Sequence, residues 1–483
     1  MRMDQIATTS IGLAAVPNTR AGFGVPLLLV DHADIPIYLR YRMFSQSDYT
    51  DLTAASAARL WLADMWGQGA YATRMPKYAY VGRWISAASS PHFVCGHHNT
   101  TMSAWTGVTA GRFAVVDNTG TPLKDEVTCG TMASCTSIAD VCTVMQAALF
   151  AISSPNISGL KTATVALDAN GRIVLTNSTT GAAAKTVAIV APASGTDITG
   201  SGFLDVADGI IVSGYDAEGS DDALSSVLDK TNVPFMVALS GGDGDDVVEL
   251  ASVLASYNKM GCFVVRDTDA KEGGTDNAAY DLSQLANQNC YLIYTEHTGD
   301  NPDAAMIGKN LAEDEGSVNW ALSPIANCYE SGLDSYSGAV KAITDAERAY
   351  IKAAGCDVLV KPSNLVHSLD GLAPGGNEIR LMIYRYYAQS RISEAVYSYL
   401  IANKVVTFSD THIQLIGKGC VKPTLDIGVS RQCLEPDYEF SLPEAADFTT
   451  ADKATHVLTM SDIASTQAQV AVNAVDLSLV IAV

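Results

Sequence analysis

Apolar positions recur along this chain in three textures, and each predicts a different kind of element. At the two ends they form extended, β-branched runs. Residues 473–483 (N-A-V-D-L-S-L-V-I-A-V) hold only Asp476 and Ser478 as polar side chains after Asn473, which is strand composition. Residues 5–16 (Q-I-A-T-T-S-I-G-L-A-A-V) read the same way and close at Pro17 and Asn18. No proline, lysine or bulge residue blunts the C-terminal run, and a flat apolar strand left as a free edge pairs with other chains. It either closes a sheet in its own molecule or is donated to a neighbour. We read the chain as a folded body with an adhesive strand at each end.

Inside the body the other two textures alternate. Residues 22–30 (G-F-G-V-P-L-L-L-V) predict a glycine-punctuated turn into a short buried strand. Residues 48–66 predict an Ala-rich helix with Leu60, Trp61 and Met65 toward a core, and 78–84 a strand. From 93 to 212 the charged residues thin out while Thr, Ser, Gly and Val rise. There, 162–167 and 172–176 alternate across Asp168-Ala169-Asn170-Gly171, a hairpin signal, and one helix, 138–152, interrupts the strands. From 213 to 362 strands at 234–239, 262–266, 290–295 and 357–361 alternate with helices at 245–257, 276–287, 302–313 and 345–354. Repeated β-α-β of this kind implies a layered, mainly parallel sheet. Pro374-Gly375-Gly376 then precedes the longest helical signal, 378–403, with Tyr384, Tyr387, Arg391, Tyr397 and Leu400 along it. A second helix begins after Ser409, and strands at 438–442 and 456–461 lead to the terminal run.

The expected fold class is α/β (α+β overall): a layered, mainly parallel trunk with an inserted mostly-β domain and a C-terminal helix-plus-sheet domain. The expected divisions are an arm at 1–20, trunk at 21–92 and 213–372, the insert at 93–212, the C-terminal domain at 373–472 and a terminal strand at 473–483.

Composition narrows the function classes. With 48% hydrophobic and 17% charged residues there is ample material for cores. A formal net charge of −22 argues against nucleic acid as a direct partner and suits a soluble particle. No export signal is visible after Met1-Arg2-Met3-Asp4, and no run of about eighteen apolar residues offers a membrane span, so cytoplasmic synthesis and no direct membrane contact are expected. The ten cysteines (95, 129, 135, 142, 262, 290, 328, 356, 420, 433) contain no C-x-x-C pair.

Little in the sequence favours chemistry. Ser240-Gly241-Gly242-Asp243-Gly244-Asp245-Asp246 sits between strand and helix, as nucleotide loops do. It lacks the third glycine of G-x-G-x-x-G and any G-K-[ST], and offers aspartates where a phosphate wants cations. Acidic residues opening a helix are ordinary capping chemistry; a divalent-cation site on them is the minority reading. Cys95, His97 and His98 are zinc-ligand types without a recognisable four-ligand spacing. No G-x-S-x-G or H-E-x-x-H is present. No catalytic residue, cofactor or metal is expected. The charge map says more: residues 378–432 hold seven Lys/Arg against four Asp/Glu, either solvated helix faces or a positive surface for an acidic partner.

Several segments, in order, resemble the sheath proteins of contractile phage tails, specifically the long-sheath family with an inserted middle domain. They are F-G-V-P-L-L-L (23–29), V-G-R (81–83), W-T-G-V-T-A-G-R-F-A-V (105–115), G-R-I-V-L-T-N-S-T-T-G-A (171–182) and M-I-G-K-N-L-A-E-D-E-G-S-V-N-W-A-L-S-P-I (306–325). The helical pair and closing strands follow. The resemblance implies a non-enzymatic subunit that forms stacked six-membered rings around a tail tube and shortens to drive the tube through the host envelope. Its partners would be copies of itself, the tube protein, and baseplate and tail-terminator proteins, in a virion tail assembled in the host cytoplasm. Strand exchange between subunits would use Ile6, Ile11, Leu13, Val475, Leu477, Leu479 and Ile481 as donated positions, with Tyr438, Phe440, Val457 and Leu458 receiving them. Lys404, Lys418, Lys422 and Arg431 would contact the tube. Exposed thiols on adjacent subunits could crosslink once the particle leaves the cell, the simpler reading being buried reduced cysteine. Two other classes stay open: a secreted surface-layer polymer using Asp243 to Asp246 for cations, and an α/β nucleotide enzyme.

Overall fold

The computed structural model describes residues 22–450 apart from 33–34, 36–39, 97, 118–122, 169–170, 182–185, 334–338, 363 and 404. Beyond 450 it describes 458, 460, 464–465 and 468–469. The chain forms two compact units, one of residues 85–218 and one from the chain on either side of it.

The larger unit opens with β1 (Gly22–Val30), β2 (Tyr41–Ser45), α1 (Ala57–Trp66) and β3 (Tyr78–Arg83). Leu27, Leu28 and Leu29 are all fully buried, which an uninterrupted apolar run achieves only between parallel neighbours with both faces covered. Pro26 has no N–H for a sheet interior, and it falls where the register of β1 against its neighbour shifts.

The insert holds β4 (His92–Val94), α2 (Met102–Thr106), β5 (Gly111–Asp117), β6 (Lys124–Thr128), α3 (Ile138–Phe150), β7 (Thr164–Leu167), β8 (Ile173–Thr176), β9 (Val187–Val190), β10 (Thr196–Asp197) and β11 (Ile210–Val212). Two four-stranded, largely antiparallel sheets share a core of Trp105, Phe113, Met145, Leu149, Ile173 and Leu175. A reciprocal capping box between Ser137 and Asp140 starts α3. Pairing extends outward past the expected 93 and 212, through the Ser89–Tyr215 bridge and the Glu218 N–H to Ile85 carbonyl bond of 3.0 Å.

The larger unit resumes with α4 (Ser220–Leu228), β12 (Pro234–Ser240), α5 (Gly244–Val253), β13 (Met260–Val265), α6 (Asp269–Glu272), α7 (Ala278–Gln284), β14 (Cys290–Tyr294), α8 (Pro302–Asn310), β15 (Pro324–Ile325), β16 (Gly332–Leu333), β17 (Val340–Lys341), α9 (Asp345–Ala353), β18 (Asp357–Val360) and β19 (Val366–Ser368). Nine strands join in the order β15-β19-β18-β14-β13-β12-β1-β3-β2. Those from β18 to β3 run parallel. Antiparallel β2 closes one edge, and β19 with β15 the other. The fold is therefore α/β with a β-rich insertion. Alternation along β1 sends Leu27 and Leu29 to one core with Leu224, Leu250, Leu282 and Ile351 from α4, α5, α7 and α9. Leu28 and Val30 go to the other, with Trp61, Met65 and Ile307 from α1 and α8. Leu60, expected inward, is 49% exposed, because one residue before Trp61 is about 100° round a helix.

The chain ends with α10 (Ile379–Ala402), α11 (Asp410–Ile416), a π-helical turn at Gly417–Val421, α12 (Lys422–Ser430), β20 (Glu439–Phe440) and β21 (Ala464–Ser465). The sequence reading set 373–472 apart as a domain. In the structure α10 shares the sheet's core: Tyr387 meets the Phe23 ring at 5.7 Å and Tyr386 meets Phe235 at 5.9 Å. Buried Asp357 fixes the approach to α10. Its carboxylate accepts the backbone N–H of Leu369 (2.9 Å), Asp370 (2.9 Å) and Gly371 (2.8 Å) and the hydroxyl of Tyr291 (2.6 Å).

Candidate functional site

Of the nominated strand positions, Tyr438, Phe440 and Leu458 are described. Ile6, Ile11, Leu13, Val457, Val475, Leu477, Leu479 and Ile481 lie outside the described residues. Strand β20 pairs antiparallel with β21, Phe440 opposite Ala464 and Glu439 opposite Ser465. The described partner of β20 is thus 464–465, downstream of the 456–461 strand the sequence suggested. An upstream bridge sets this register: Leu434 pairs with Ala468, and the Gln469 N–H donates to the Cys433 carbonyl at 3.0 Å. Tyr438, Phe440, Leu458 and Met460, all half-buried, seat the segment against the core that contains α10.

Tyr438 also locks it to α12. Its hydroxyl donates to Asp426 at 2.5 Å and accepts from Lys422 Nζ at 3.0 Å, with the ammonium 5.4 Å from the ring centroid. Gly417 lies under this segment because a side chain there would run into Leu442.

The nominated cations divide. Lys404 lies outside the described residues. Lys418 is exposed on the π-helical turn and has no ion pair among the described residues. Next to it, a methyl group on Gly419 would meet nothing, so no packing within the chain requires a glycine there. Lys422 is bound to Asp426 at 2.9 Å as well as to Tyr438. Arg431 is not an outward cation. It pairs with Glu315 at 3.0 Å, donates to the Glu315 carbonyl, and lies 4.7 Å over the Tyr387 ring with its side chain 18% exposed. Arg391 on Glu394, Arg380 on Glu378 and Lys422 on Asp426 pair with acids of the same 378–432 segment, and of these partners only Glu315, on Arg431, comes from outside it.

The acidic loop has a structural cause. Asp243 caps α5, accepting from the N–H groups of Asp245 (3.0 Å) and Asp246 (3.2 Å), and the Asp246 carboxylate accepts the Asp243 N–H at 2.9 Å. Gly241 has φ +89°, which the turn demands. The loop borders a cleft of about 510 Å³ with Arg266, Asp267, Asp276 and Asp281 on its walls. Arg266 is engaged with the carbonyls of His297 (3.2 Å) and Asp300 (2.8 Å). No group of three His, Cys, Asp or Glu side chains arranged to hold a metal occurs among the described residues.

All ten cysteines are buried, in line with the simpler reading of buried thiols and against the alternative of exposed, crosslinking ones. They sit among apolar side chains, where the uncharged thiol is the favoured form. Burial pushes Cys95 and Cys129 up to about 12 and Cys142 and Cys433 up to about 11. Cys95 is part of the insert's core, and His97 lies outside the described residues.

The sequence reading passed over Arg380, Asp303 and Lys259, all buried. Glu378-x-Arg380 opening the longest helix was a visible signal, but a solvated first turn has the same composition.

No known protein family matches the chain in sequence, and no curated protein does. Among solved structures, the chain is similar to a sheath tail protein from Desulfitobacterium hafniense at 8% identity. That match covers 88% of this chain and 90% of the other, with a TM-score of 0.41. Identity and superposition at this level assign nothing to this chain.

Proposed function

We propose that this chain is the structural subunit of a contractile tail sheath in a virion. The observation that carries the reading is the C-terminal strand pair. Among the described residues this pair is two residues on each strand, too little sheet to stand alone, and a strongly strand-forming apolar segment, 473–483, follows it in sequence. Strands donated by neighbouring copies complete this sheet by main-chain hydrogen bonds, which act as hinged tethers and need no matched side-chain interface. The order of sheath-like segments along the sequence supports the same reading.

In this reading subunits form six-membered rings stacked around a tube protein, between baseplate and terminator proteins, and assemble in the host cytoplasm. The extended state is metastable, and its release rotates and slides the subunits without nucleotide. Lys418, beside the bare Gly419, and Lys404 are the tube-facing cations; Lys422 joins them only when it leaves Asp426. The insert decorates the outside.

Negative-stain electron microscopy of the full-length chain beside a truncation ending at Asn473 tests this. The expected result is hollow striated tubes from the full chain and dispersed particles from the truncation. Monomers from the full chain at high concentration and across salt would overturn the sheath, and tubes from both would overturn the role of the terminal strand.

A further inference from the structure

We propose that Arg380 and Glu378 are the anchor through which the C-terminal arm is held to the body, so that tension on the arm is delivered to α10. The proposal rests on the arm linking subunits as described above. The two side chains are 7% and 5% exposed, and Arg380 Nε donates to Glu378 Oε2 at 2.7 Å. The rest of the guanidinium faces main chain. Nη1 donates to the Gln432 carbonyl at 2.9 Å, and Nη2 donates to the Gln469 carbonyl.

Those two carbonyls belong to the segments that lie side by side through the Leu434–Ala468 bridge and the Gln469 to Cys433 hydrogen bond. One side chain therefore grips both strands of the pairing that precedes residues 470–483. A bridge this short opens easily without support. A guanidinium suits the task because its planar set of donors reaches a carboxylate and two carbonyls at once. Glu378 is required because a lone buried cation is costly, and charge-assisted bonds away from water are the stronger ones. The more exposed pairs nearby in sequence, Arg391–Glu394 on α10 and Lys422–Asp426 on α12, offer no comparable hold. Arg380 is thus a positioning residue: it acts on the arm through the 432 and 469 carbonyls.

Hydrogen exchange at the Gln469 amide of the full-length chain reads the anchor directly. In the double variant Glu378→Gln with Arg380→Gln, which leaves no lone buried charge, exchange at Gln469 is expected to quicken by about tenfold or more while trunk amides such as Leu292 keep their protection. Arg380→Lys, which keeps the charge but cannot span both carbonyls, is expected to recover part of that loss. Unchanged exchange in the double variant overturns the proposal. If the double variant does not fold, Arg380→Lys decides alone: faster exchange than wild type supports the anchor and wild-type exchange overturns it. Electron microscopy of the same samples reads the load. Tubes from wild type but none from the double variant support it, and tubes of ordinary length from a variant with faster exchange overturn it. Absence of tubes from the wild-type chain removes the sheath reading and leaves exchange to judge the anchor.

Discussion

The indole N–H of Trp61 donates to the carboxylate of Asp303 across 2.7 Å, tying α1 to α8 although 242 residues separate them in sequence. Both side chains are almost fully buried. Asp303 takes its proton at about 6 instead of 3.8, because burial disfavours the charged form more than the Trp61 hydrogen bond favours it. Below the ordinary value both folded and unfolded chains hold the proton. Between about 4 and 6 the unfolded chain ionises first, so stability falls as pH rises and levels off above 6. Asp303→Asn still accepts from Trp61 and cannot ionise. It should melt higher than wild type at pH 7, by an amount worth at most roughly 3 kcal/mol, and match it near pH 4. Thermal melts across pH check this, and a constant difference between the two would sink it.

Lys259 presents the opposite sign. It is 2% exposed, its ammonium donates to the Asn232 carbonyl at 2.8 Å, and burial lowers its pKa from 10.5 to about 8. Between about 8 and 10.5 the unfolded chain binds the proton and the folded chain does not, so stability rises with pH across that window. Lys259→Met keeps the stem and removes the buried charge at the cost of one hydrogen bond. It should be more stable than wild type at pH 7 by about 1–2 kcal/mol, with the gap closing toward pH 10.5 in denaturant titrations.

Asp357→Ala leaves the N–H groups of Leu369, Asp370 and Gly371 and the Tyr291 hydroxyl without their acceptor. A loss of roughly 3–5 kcal/mol is expected, read as a lower denaturant midpoint. Asp357→Asn should lose less, since its amide oxygen still accepts.

Thiol labelling tests the burial of the cysteines. Ten free, buried thiols predict almost no reaction with a bulky maleimide in the folded chain and ten labels after unfolding. Assembled particles kept in air should run as monomers on non-reducing gels; ladders of crosslinked subunits would contradict the structure.

At Gly419 the two possible reasons for a glycine separate cleanly. A methyl group meets nothing there, so Gly419→Ala should stabilise the isolated chain by about 0.5–1 kcal/mol. If the tube approaches this backbone closely, the same change weakens tube binding, and Lys418→Glu weakens it further with a reduced salt dependence. Co-sedimentation with tubes at two salt concentrations checks both, and unchanged binding in both variants would remove this turn from the contact.

Local pattern alone placed most elements of this protein. The apolar runs at 234–239 and 290–295, the aspartates that open α5, the start of α11 after Ser409 and the hairpin around Asp168 all lie where the chain folds, because burial on a period of two or 3.6 and the capping of free N–H groups depend on near neighbours. Short edge strand β2, helix α4 and the π-helical turn at Gly417 went unread, since each gains its stability from contacts that near neighbours do not display. The roles of the charged side chains were decided only by the tertiary structure. Arg431 reads as a free cation until Glu315, 116 residues away, is beside it, and Arg380 reads as a first-turn residue until the carbonyls of Gln432 and Gln469 close around it. A charge takes its meaning from the partner and dielectric that folding brings to it. Sequence therefore determined the layers and the candidate linkage strands, and tertiary structure decided which cations clamp the body and which of the described ones, Lys418 foremost, still face outward.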